Sequence, residues 1–511
     1  MTKPVLIYKL ARVYTFLGSI LLVAPLLICR LALGADEVGT AHPLLFQAAA
    51  PDGSWVFVCQ AREDTNHDGK ISVEVGYHGE VMGDRMAPYF IVGTGPGQKV
   101  DDFISSDSKG RYALVIREEK LVLIDTVSKS EINLSALGAD ISDDGNPFAP
   151  HRAGSFDAKG GQLLYLRRKS GRTVAVVREL ASAREIEIDP GPGDLWRASF
   201  ASTSDDWLVL RVIAKDTDGN GRLEWPQQRT TMSARRCRAS ASSFSTAGSY
   251  GDTPETRIVP VKGGIARSAP GFAGVLRDSI LRRDPSDTIL VERLSGETKE
   301  LIPAACGAVI LHVDVQRGLV LSFCAKGARF AGEFAPLELR DLDGKISVLG
   351  SIRLVLDVAM TTIGNRARSW DRFFSVSLEH GPTVIDLDGR TQRTLESGDQ
   401  IISVYGNRLL YVSGVSGSSL NLMDLLTGER RVLLPSVERS TTSIRAGSVV
   451  SYGPLVIDLS RGNIIGKITG TPLAVAAPGR VLVFDNPTPE RSQAGVQKGP
   501  LFWRTPLPLE K

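Results

Sequence analysis

Asp107-Ser108-Lys109-Gly110-Arg111-Tyr112-Ala113-Leu114-Val115-Ile116 places a polar turn directly before a run of apolar residues. Asp, Ser and Gly provide the backbone conformations and the local hydrogen bonds that a tight turn needs. The run from Tyr112 to Ile116 contains no charged residue, as expected for a strand that is covered on both faces. The stretch therefore predicts a hairpin turn that leads into a buried β-strand.

The same unit returns along the chain, with turn residues ahead of apolar runs at 51–58, 157–166 and 204–210. A second unit, a strand that ends in a tight turn, occurs at 121–125, 293–296, 341–344, 384–389, 424–428 and 458–462. Both return at intervals of about 34 to 55 residues, which is the range for four-stranded propeller blades. A blade cannot bury both of its faces alone, so packing around a ring explains why the pattern recurs.

We therefore predict an all-β fold, a β-propeller of four-stranded blades. Eight units can be counted up to about residue 435, and two more follow. This favours one large ring of about eight blades or more. Two adjacent propellers and a β-solenoid are the alternatives.

The paired units resemble the repeats of TolB-type β-propellers, in which Ser-Pro-Asp-Gly-Arg precedes an apolar strand and a later strand ends in Asp-Leu-x-x-Gly. The matching stretches include Pro51-Asp52-Gly53 and Asp424-Leu425-Leu426-Thr427-Gly428, whereas Ala50 and Ser106 depart from the pattern. The resemblance covers most of the chain after its N-terminal segment. It implies a binding or scaffold module whose partner is another protein of the cell envelope or an extracellular protein.

Two stretches have the spacing of calcium-binding loops. In each, carboxylate or amide side chains occupy positions 1, 3 and 5, and Gly occupies position 6. The expected ligands, which include the position 7 carbonyls, are Asp64, Asn66, Asp68 and Lys70 in the first loop and Asp216, Asp218, Asn220 and Arg222 in the second. We predict calcium as the cofactor; the alternative is a pair of purely polar turns.

The twelfth position departs from the calcium-loop pattern, because Val75 and Gln227 stand where a bidentate Glu normally binds. Glu74, Glu224, water or a carboxylate from elsewhere in the fold is then needed to complete the ligand shell. Ile71 and Leu223, at position 8, are expected to anchor the loops. Because strand-like sequence flanks both loops, we expect them to be insertions at 63–75 and 215–255 within a propeller over residues 40–505.

The N-terminal segment, residues 1–35, has basic residues ahead of an uncharged run and then small residues, as a signal peptide does. An uncleaved membrane anchor is the alternative, and it would be the chain's one contact with a membrane. We therefore expect a periplasmic or secreted protein of the bacterial envelope. A net charge of +3 over 511 residues, with Lys and Arg scattered, does not favour nucleic-acid binding.

Export makes the cysteines candidates for disulfides. Cys306 and Cys324 flank two apolar runs joined by a turn, so a hairpin would place them nearly opposite each other. Cys59 precedes the first calcium-like loop, and Cys237 follows the second. A disulfide between them would tie the two loops together.

Catalysis has weaker support in the sequence. The nearest string to a Gly-x-Ser-x-Gly elbow, Gly414-Val415-Ser416-Gly417, is one residue short. We assign no catalytic residue. The alternative function is a propeller enzyme that acts on a polysaccharide or a peptide in the central channel.

Overall fold

The computed structural model of the protein describes residues 36–509 with breaks. The residues left out are 39–43, 76–80, 119, 136–153, 171, 202–203, 224–226, 231–245, 251, 277–278, 294, 325–333, 354–367, 371, 390, 415–417, 439, 441–442, 477–478 and 485–500. The predicted signal segment, residues 1–35, lies outside the described part. The described residues form ten four-stranded antiparallel sheets, which we call blades 1 to 10 in chain order, and two inserted hairpins.

The first five blades contain the following strands. Blade 1 has β2 (Leu44–Ala49), β3 (Trp55–Gln60), β6 (Ala87–Val92) and β7 (Gln98–Lys99); blade 2 has β8 (Asp102–Ser106), β9 (Tyr112–Arg117), β10 (Lys120–Asp125) and β11 (Ser130–Ser135); blade 3 has β12 (Gly154–Phe156), β13 (Gln162–Lys169), β14 (Arg172–Glu179) and β15 (Glu185–Ile188); blade 4 has β16 (Asp194–Ala201), β17 (Ser204–Ile213), β20 (Glu255–Pro260) and β21 (Arg267–Ser268); blade 5 has β22 (Phe272–Leu276), β23 (Ser279–Arg283), β24 (Ile289–Arg293) and β25 (Thr298–Ile302).

The second half of the chain repeats this order. Blade 6 has β26 (Ala308–Asp314), β27 (Leu319–Cys324), β28 (Phe334–Asp341) and β29 (Ile346–Arg353); blade 7 has β30 (Arg368–Trp370), β31 (Phe373–Leu378), β32 (Gly381–Asp386) and β33 (Thr391–Thr394); blade 8 has β34 (Gln400–Tyr405), β35 (Arg408–Ser413), β36 (Ser419–Asp424) and β37 (Arg430–Leu434); blade 9 has β38 (Ser443–Ala446), β39 (Val449–Tyr452), β40 (Leu455–Asp458) and β41 (Asn463–Lys467); blade 10 has β42 (Thr471–Ala476), β43 (Arg480–Phe484), β44 (Leu501–Arg504) and β1 (Asp36–Val38). A 3₁₀ turn, Ala304–Cys306, precedes β26.

The ring closes because the first strand of the described residues, β1, completes the last blade. Asp36 pairs with Trp503 and Val38 with Leu501, so β1 becomes the outer strand of blade 10. Blade 10 then shares a buried apolar core with blade 1, which includes Leu44 and Leu482. Strands from the two ends of the described part thus hold the ring together by backbone hydrogen bonds.

Every blade packs on the blades before and after it. Buried apolar clusters join blades 1 and 2, blades 2 to 4, and each following pair up to blades 9 and 10. With the contact of blades 10 and 1, these cores form an unbroken circle. The β-propeller prediction is confirmed, with ten blades in one ring; the two-propeller and solenoid alternatives are wrong.

This packing explains the apolar runs in the sequence. The two middle strands of a blade are covered on both faces, so their residues are apolar without alternation. In β9 and β10, for example, residues 113–116 and 121–124 are all buried. The outer strand β11 instead exposes Ile132.

The antiparallel strand order sorts the connections between the two faces of the ring. The turns between strands 1 and 2 and between strands 3 and 4 lie on one face, which we call the turn face. The connections between strands 2 and 3 and those between blades lie on the other, the loop face. The repeated Asp-containing turns belong to the turn face: Asp107 accepts hydrogen bonds from the backbone N–H groups of Tyr112 and Lys109, at 2.7 and 3.2 Å.

Candidate functional site

Both calcium-like loops are insertions at the same place in a blade, between strands 2 and 3. The first follows β3 in blade 1 and leads to the hairpin of β4 (Val73–Val75) and β5 (Val81–Gly83). The second follows β17 in blade 4 and leads to the hairpin of β18 (Gln227–Thr230) and β19 (Thr246–Tyr250). Both insertions therefore emerge on the loop face.

In the first loop, the carboxylate of Asp64 holds the turn. Its two oxygens accept hydrogen bonds from the backbone N–H groups of Asp68 and Gly69, at 3.2 and 2.8 Å. Asn66 and Asp68 are also joined, because the amide of Asn66 donates to Asp68 Oδ2 at 3.1 Å. Gly69 has a φ of +80°, which a residue with a Cβ rarely adopts. The loop is thus closed around the side chains at positions 1, 3 and 5.

The second loop repeats this arrangement. Asp216 accepts hydrogen bonds from the N–H groups of Gly219 and Gly221, both at 2.6 Å. The amide of Asn220 donates to Asp218 Oδ2 at 3.1 Å. Gly221 has a φ of +81°, almost the value of Gly69.

A buried aspartate that sequence spacing did not identify supports each loop. Asp84 directly follows β5, and its Oδ1 accepts hydrogen bonds from the N–H and the hydroxyl of Thr65, at 2.5 and 3.1 Å. Asp252 follows β19, and its Oδ1 accepts from the same two groups of Thr217. Both aspartates are 1% exposed. Asp84 and Asp252 are thus structural equivalents, although they lie at different distances from their loops in sequence.

The second loop brings three carboxylates together. Oxygens of Asp216, Asp218 and Asp252 all lie within 4.8 Å of one another. The pKa of Asp218 is raised: the N–H of Asn220 favours its charged form, but burial and the neighbouring carboxylates of Asp216 and Asp252 outweigh it. A divalent cation with oxygen ligands would offset this repulsion.

At the first loop, the corresponding buried carboxylate is already satisfied. The N–H of Ser72 donates to Asp84 Oδ2 at 2.8 Å. This bond lowers the pKa of Asp84; burial opposes it, and the N–H groups of Thr65 and Asn66 add to the lowering. Asp84 is therefore held as a carboxylate by the backbone of the loop that it supports.

Other predicted ligands have different positions. Lys70 and Arg222, at the seventh position of their loops, are exposed. Asn66 at position 3 and Asp68 and Asn220 at position 5 are exposed as well. Glu74 lies in β4, but its side chain is outside the described part, as is the whole of Glu224. The loops lack Glu at position 12, so a carboxylate from elsewhere in the fold is one possible replacement. At the second loop, Asp252 is a candidate for this ligand.

The anchoring residues differ between the loops. Ile71 packs with Ala61, Val73 and Met86 in a small apolar cluster. Leu223 is 51% exposed, so the expectation that it anchors the second loop is wrong. The backbone and hydroxyl bonds from Thr217 to Asp252 hold that loop to the blade instead.

The Cys306–Cys324 disulfide is present, with a Cα–Cα distance of 4.7 Å. Cys306 ends the 3₁₀ turn before β26, and the register partner of Cys324 is Ala308, two residues further on. Cys59 is also disulfide-bonded. Its predicted partner Cys237 lies outside the described residues, so the tie between the loops stays a prediction.

Within the described residues, no helix has the length and apolar character that a membrane crossing requires.

No family model and no curated protein sequence matches the chain. The chain is similar to solved structures at low identity. Dipeptidyl peptidase 4 from Porphyromonas gingivalis is 10% identical with a TM-score of 0.37, and the match covers 74% of this chain and 57% of that one.

TolB from Acinetobacter baumannii is 9% identical with a TM-score of 0.21, and the match covers 60% of this chain and 62% of that one. Apo AztD from Citrobacter koseri is 11% identical with a TM-score of 0.29, and the match covers 76% of this chain and 93% of that one. The chain thus spans less than two thirds of the peptidase and of that TolB structure.

Proposed function

We propose that the protein is an exported β-propeller that binds a partner protein of the cell envelope through its loop face, and that calcium orders the two inserted loops. In this role the ring is a rigid scaffold, and the inserted loops provide the contact surface. Loops carried by a rigid scaffold are common binding elements because they can vary without disturbing the core.

The observation that carries the proposal is the equivalence of the two insertions. Both occupy the connection between strands 2 and 3, both are closed by an aspartate at position 1, and both rest on a buried aspartate, Asp84 or Asp252. Two loops built in the same way on the same face support a shared role for that face.

The donor chemistry supports a hard cation. The side chains at positions 1, 3 and 5 of both loops, together with Asp252, offer carboxylate and amide oxygens, which suit calcium. At the second loop, the 4.8 Å grouping of three carboxylates is repulsive without a counter-ion. Because Glu is missing at position 12, we expect a dissociation constant of about 10⁻⁴ to 10⁻³ M, as in extracellular calcium modules.

The exported location has support from the covalent chemistry. Cys306 and Cys324 form a disulfide between a turn and the end of a strand. Stable disulfides form in oxidising compartments such as the periplasm or the extracellular space.

Affinity capture from an envelope extract tests this function. Immobilised full-length protein is compared in calcium and in chelator, and with an Asp216→Asn/Asp218→Asn double variant. Asp205→Asn is the matched control, because Asp205 lies at the start of β17, at the opposite face of the ring, where it accepts a hydrogen bond from the N–H of Ala158. We expect one protein to be retained in calcium and lost with chelator or with the double variant. A partner retained equally under all conditions would contradict the proposal.

A further inference from the structure

Two arginines of blade 4 face each other across neighbouring strands. Arg197 lies on β16, the first strand of the blade, and its register partner on β17 is Arg211. Directly opposed residues in antiparallel strands have Cβ atoms about 4.5–5.5 Å apart on the same face of the sheet, and like charges in that position are destabilising. Both side chains are partly buried, so water screens this repulsion incompletely.

The surrounding side chains do little to neutralise this pair. Arg211 donates a hydrogen bond to the hydroxyl of Thr256 on β20, a neutral acceptor. Within the described part of the chain, the guanidinium of Arg197 makes neither a hydrogen bond nor an ion pair. Arg282, which is also partly buried, instead has a carboxylate partner and pairs with Glu292 at 2.8 Å.

Strand parity places the pair in the cleft between blades 4 and 5. Trp207 on β17 and Ile258 on β20 pack against Phe272 and Ile280 of blade 5. Side chains that are two or four residues apart in a strand share a face. Arg211 and its neighbour Thr256 therefore point into the same cleft, as does Arg197.

The neighbouring blade does not neutralise the two arginines. Arg282 lies two residues after Ile280 on β23 and faces blade 4, together with its partner Glu292. By the same parity, Arg267 on β21 and Glu300 on β25 face this cleft from the outer strands, so the described strands place four guanidinium groups and two carboxylates there. Burial lowers the pKa of Arg211, and the charge of Arg197 lowers it further, which agrees with an excess of positive charge.

The pair is close to the loop face. Arg211 is two residues from Ile213, where β17 ends and the insertion of blade 4 begins, and Asp194 at the start of β16 pairs with Ile213. β16 is the first strand of its blade and contacts β12, the first strand of blade 3, as expected for strands that surround the ring axis. A ligand could therefore reach the pair from the mouth of the channel.

We propose that Arg197 and Arg211 bind an oxyanion group, a carboxylate or a phosphate, of a ligand that enters the cleft between blades 4 and 5 from the loop face. Guanidinium groups present several N–H donors in a planar fork that matches the oxygens of carboxylates and phosphates. One oxyanion between the two would replace their repulsion with two charge-assisted interactions. This site uses no residue of the inserted loops, so it does not depend on the calcium proposal.

The test measures thermal unfolding and binding heat of the full-length protein with inorganic phosphate, with acetate and with chloride, at constant ionic strength and with chelator present throughout. Phosphate, acetate or both should raise the melting temperature of the wild-type protein above its value in chloride. An effect of only one of them identifies the oxyanion. A wild-type protein that responds to neither would overturn the proposal.

The variants Arg197→Gln and Arg211→Gln should bind the effective anion at least about tenfold more weakly, as expected from the loss of a charge-assisted hydrogen bond.

In chloride alone, Arg197→Gln should melt at a higher temperature than the wild type, because it removes the repulsion. Arg197→Lys keeps the charge but lacks the planar fork, so it should retain the repulsion and bind more weakly. Arg293→Gln, an exposed arginine paired with Glu297, is the matched control and should respond as the wild type does. Equal anion responses in the wild type and both glutamine variants would show that the pair is not the site.

Discussion

The indole Nε1 of Trp55 in blade 1 donates a hydrogen bond of 2.8 Å to the backbone carbonyl oxygen of Gly110 in the turn of blade 2. The two turns are in close contact, because a Cβ on Gly110 would lie 2.9 Å from the Cβ of Ala50. Blades 3 and 4 are joined in a similar way by the bond from the N–H of Ala158 to Asp205. The turn face thus carries polar bonds from blade to blade in addition to the apolar cores.

Replacing Trp55 with Phe should lower the free energy of unfolding by about 1 kcal/mol, because the hydrogen bond to Gly110 is lost while most of the ring packing stays. Trp55 is 1% exposed and packs on Phe90 at 5.2 Å, so Trp55→Ala should cost about 3–5 kcal/mol. Chemical denaturation of both variants checks the order. A Phe variant as unstable as the Ala variant would show that the hydrogen bond, and not the ring packing, dominates.

The start of blade 5 requires glycine at position 271. Gly271 has a φ of +67°, and a Cβ there would lie 1.8 Å from the carbonyl oxygen of Arg283. Gly271→Ala must therefore shift the backbone, and we expect a loss of more than about 3 kcal/mol or failure to fold. The control is Gly406→Ala, because Gly406 has a φ of +53° with nothing within 4 Å of its Cβ position. It should cost only about 1–2 kcal/mol. Equal losses, measured by denaturation and soluble yield, would contradict the steric argument.

Calcium should raise the melting temperature of the wild-type protein at millimolar concentration. With a dissociation constant of about 1 mM, 10 mM calcium would add about 1.4 kcal/mol of stability. Asp252→Asn should reduce this effect strongly, because it removes a buried carboxylate from the group with Asp216 and Asp218. Asp205→Asn, on the turn face, should retain the full effect. If calcium produces neither binding heat nor a melting shift in the wild type, both loops are polar turns.

Acid should weaken the ion pair between Arg317 of blade 6 and Asp388 of blade 7, because it protonates the carboxylate of Asp388. The guanidinium of Arg317 lowers the pKa of this carboxyl; burial opposes the shift, and the charges of Arg317 and Arg372 add to the lowering. A lowered pKa means that the ion pair stabilises the fold above the unfolded pKa of about 3.9 and that this contribution is lost as the pH falls through the folded pKa. The melting temperature of Asp388→Asn should therefore lie below that of the wild type at pH 7, and the difference should shrink as the pH falls below about 4 and vanish once the pH is below the folded pKa.

Asp343→Asn is the control for this pH dependence, because Asp343 is exposed on a turn of blade 6 and its carboxylate makes no ion pair with the described residues. Its melting temperature should follow that of the wild type at every pH. A constant difference between Asp388→Asn and the wild type from pH 7 to pH 3 would contradict the assignment.

Much of the architecture could be predicted from the sequence because its signals are local. Asp107 bonds to backbone groups two and five residues away, and Asp424 accepts from the N–H groups of Leu426 and Thr427. Such turns depend on residue types that are adjacent in the chain. Counting them predicted about eight blades or more, and the described residues contain ten.

The sequence by itself thus determined the all-β repeat, the turn chemistry and the spacing of the loop carboxylates, since each depends on residues a few positions apart. Only the tertiary structure decided that β1 closes blade 10, that Asp84 and Asp252 support the loops and that Arg197 faces Arg211. These contacts join residues that lie from 14 to several hundred positions apart. Strand pairing and ring closure bring them together, and no local pattern of residue types specifies which distant partners meet.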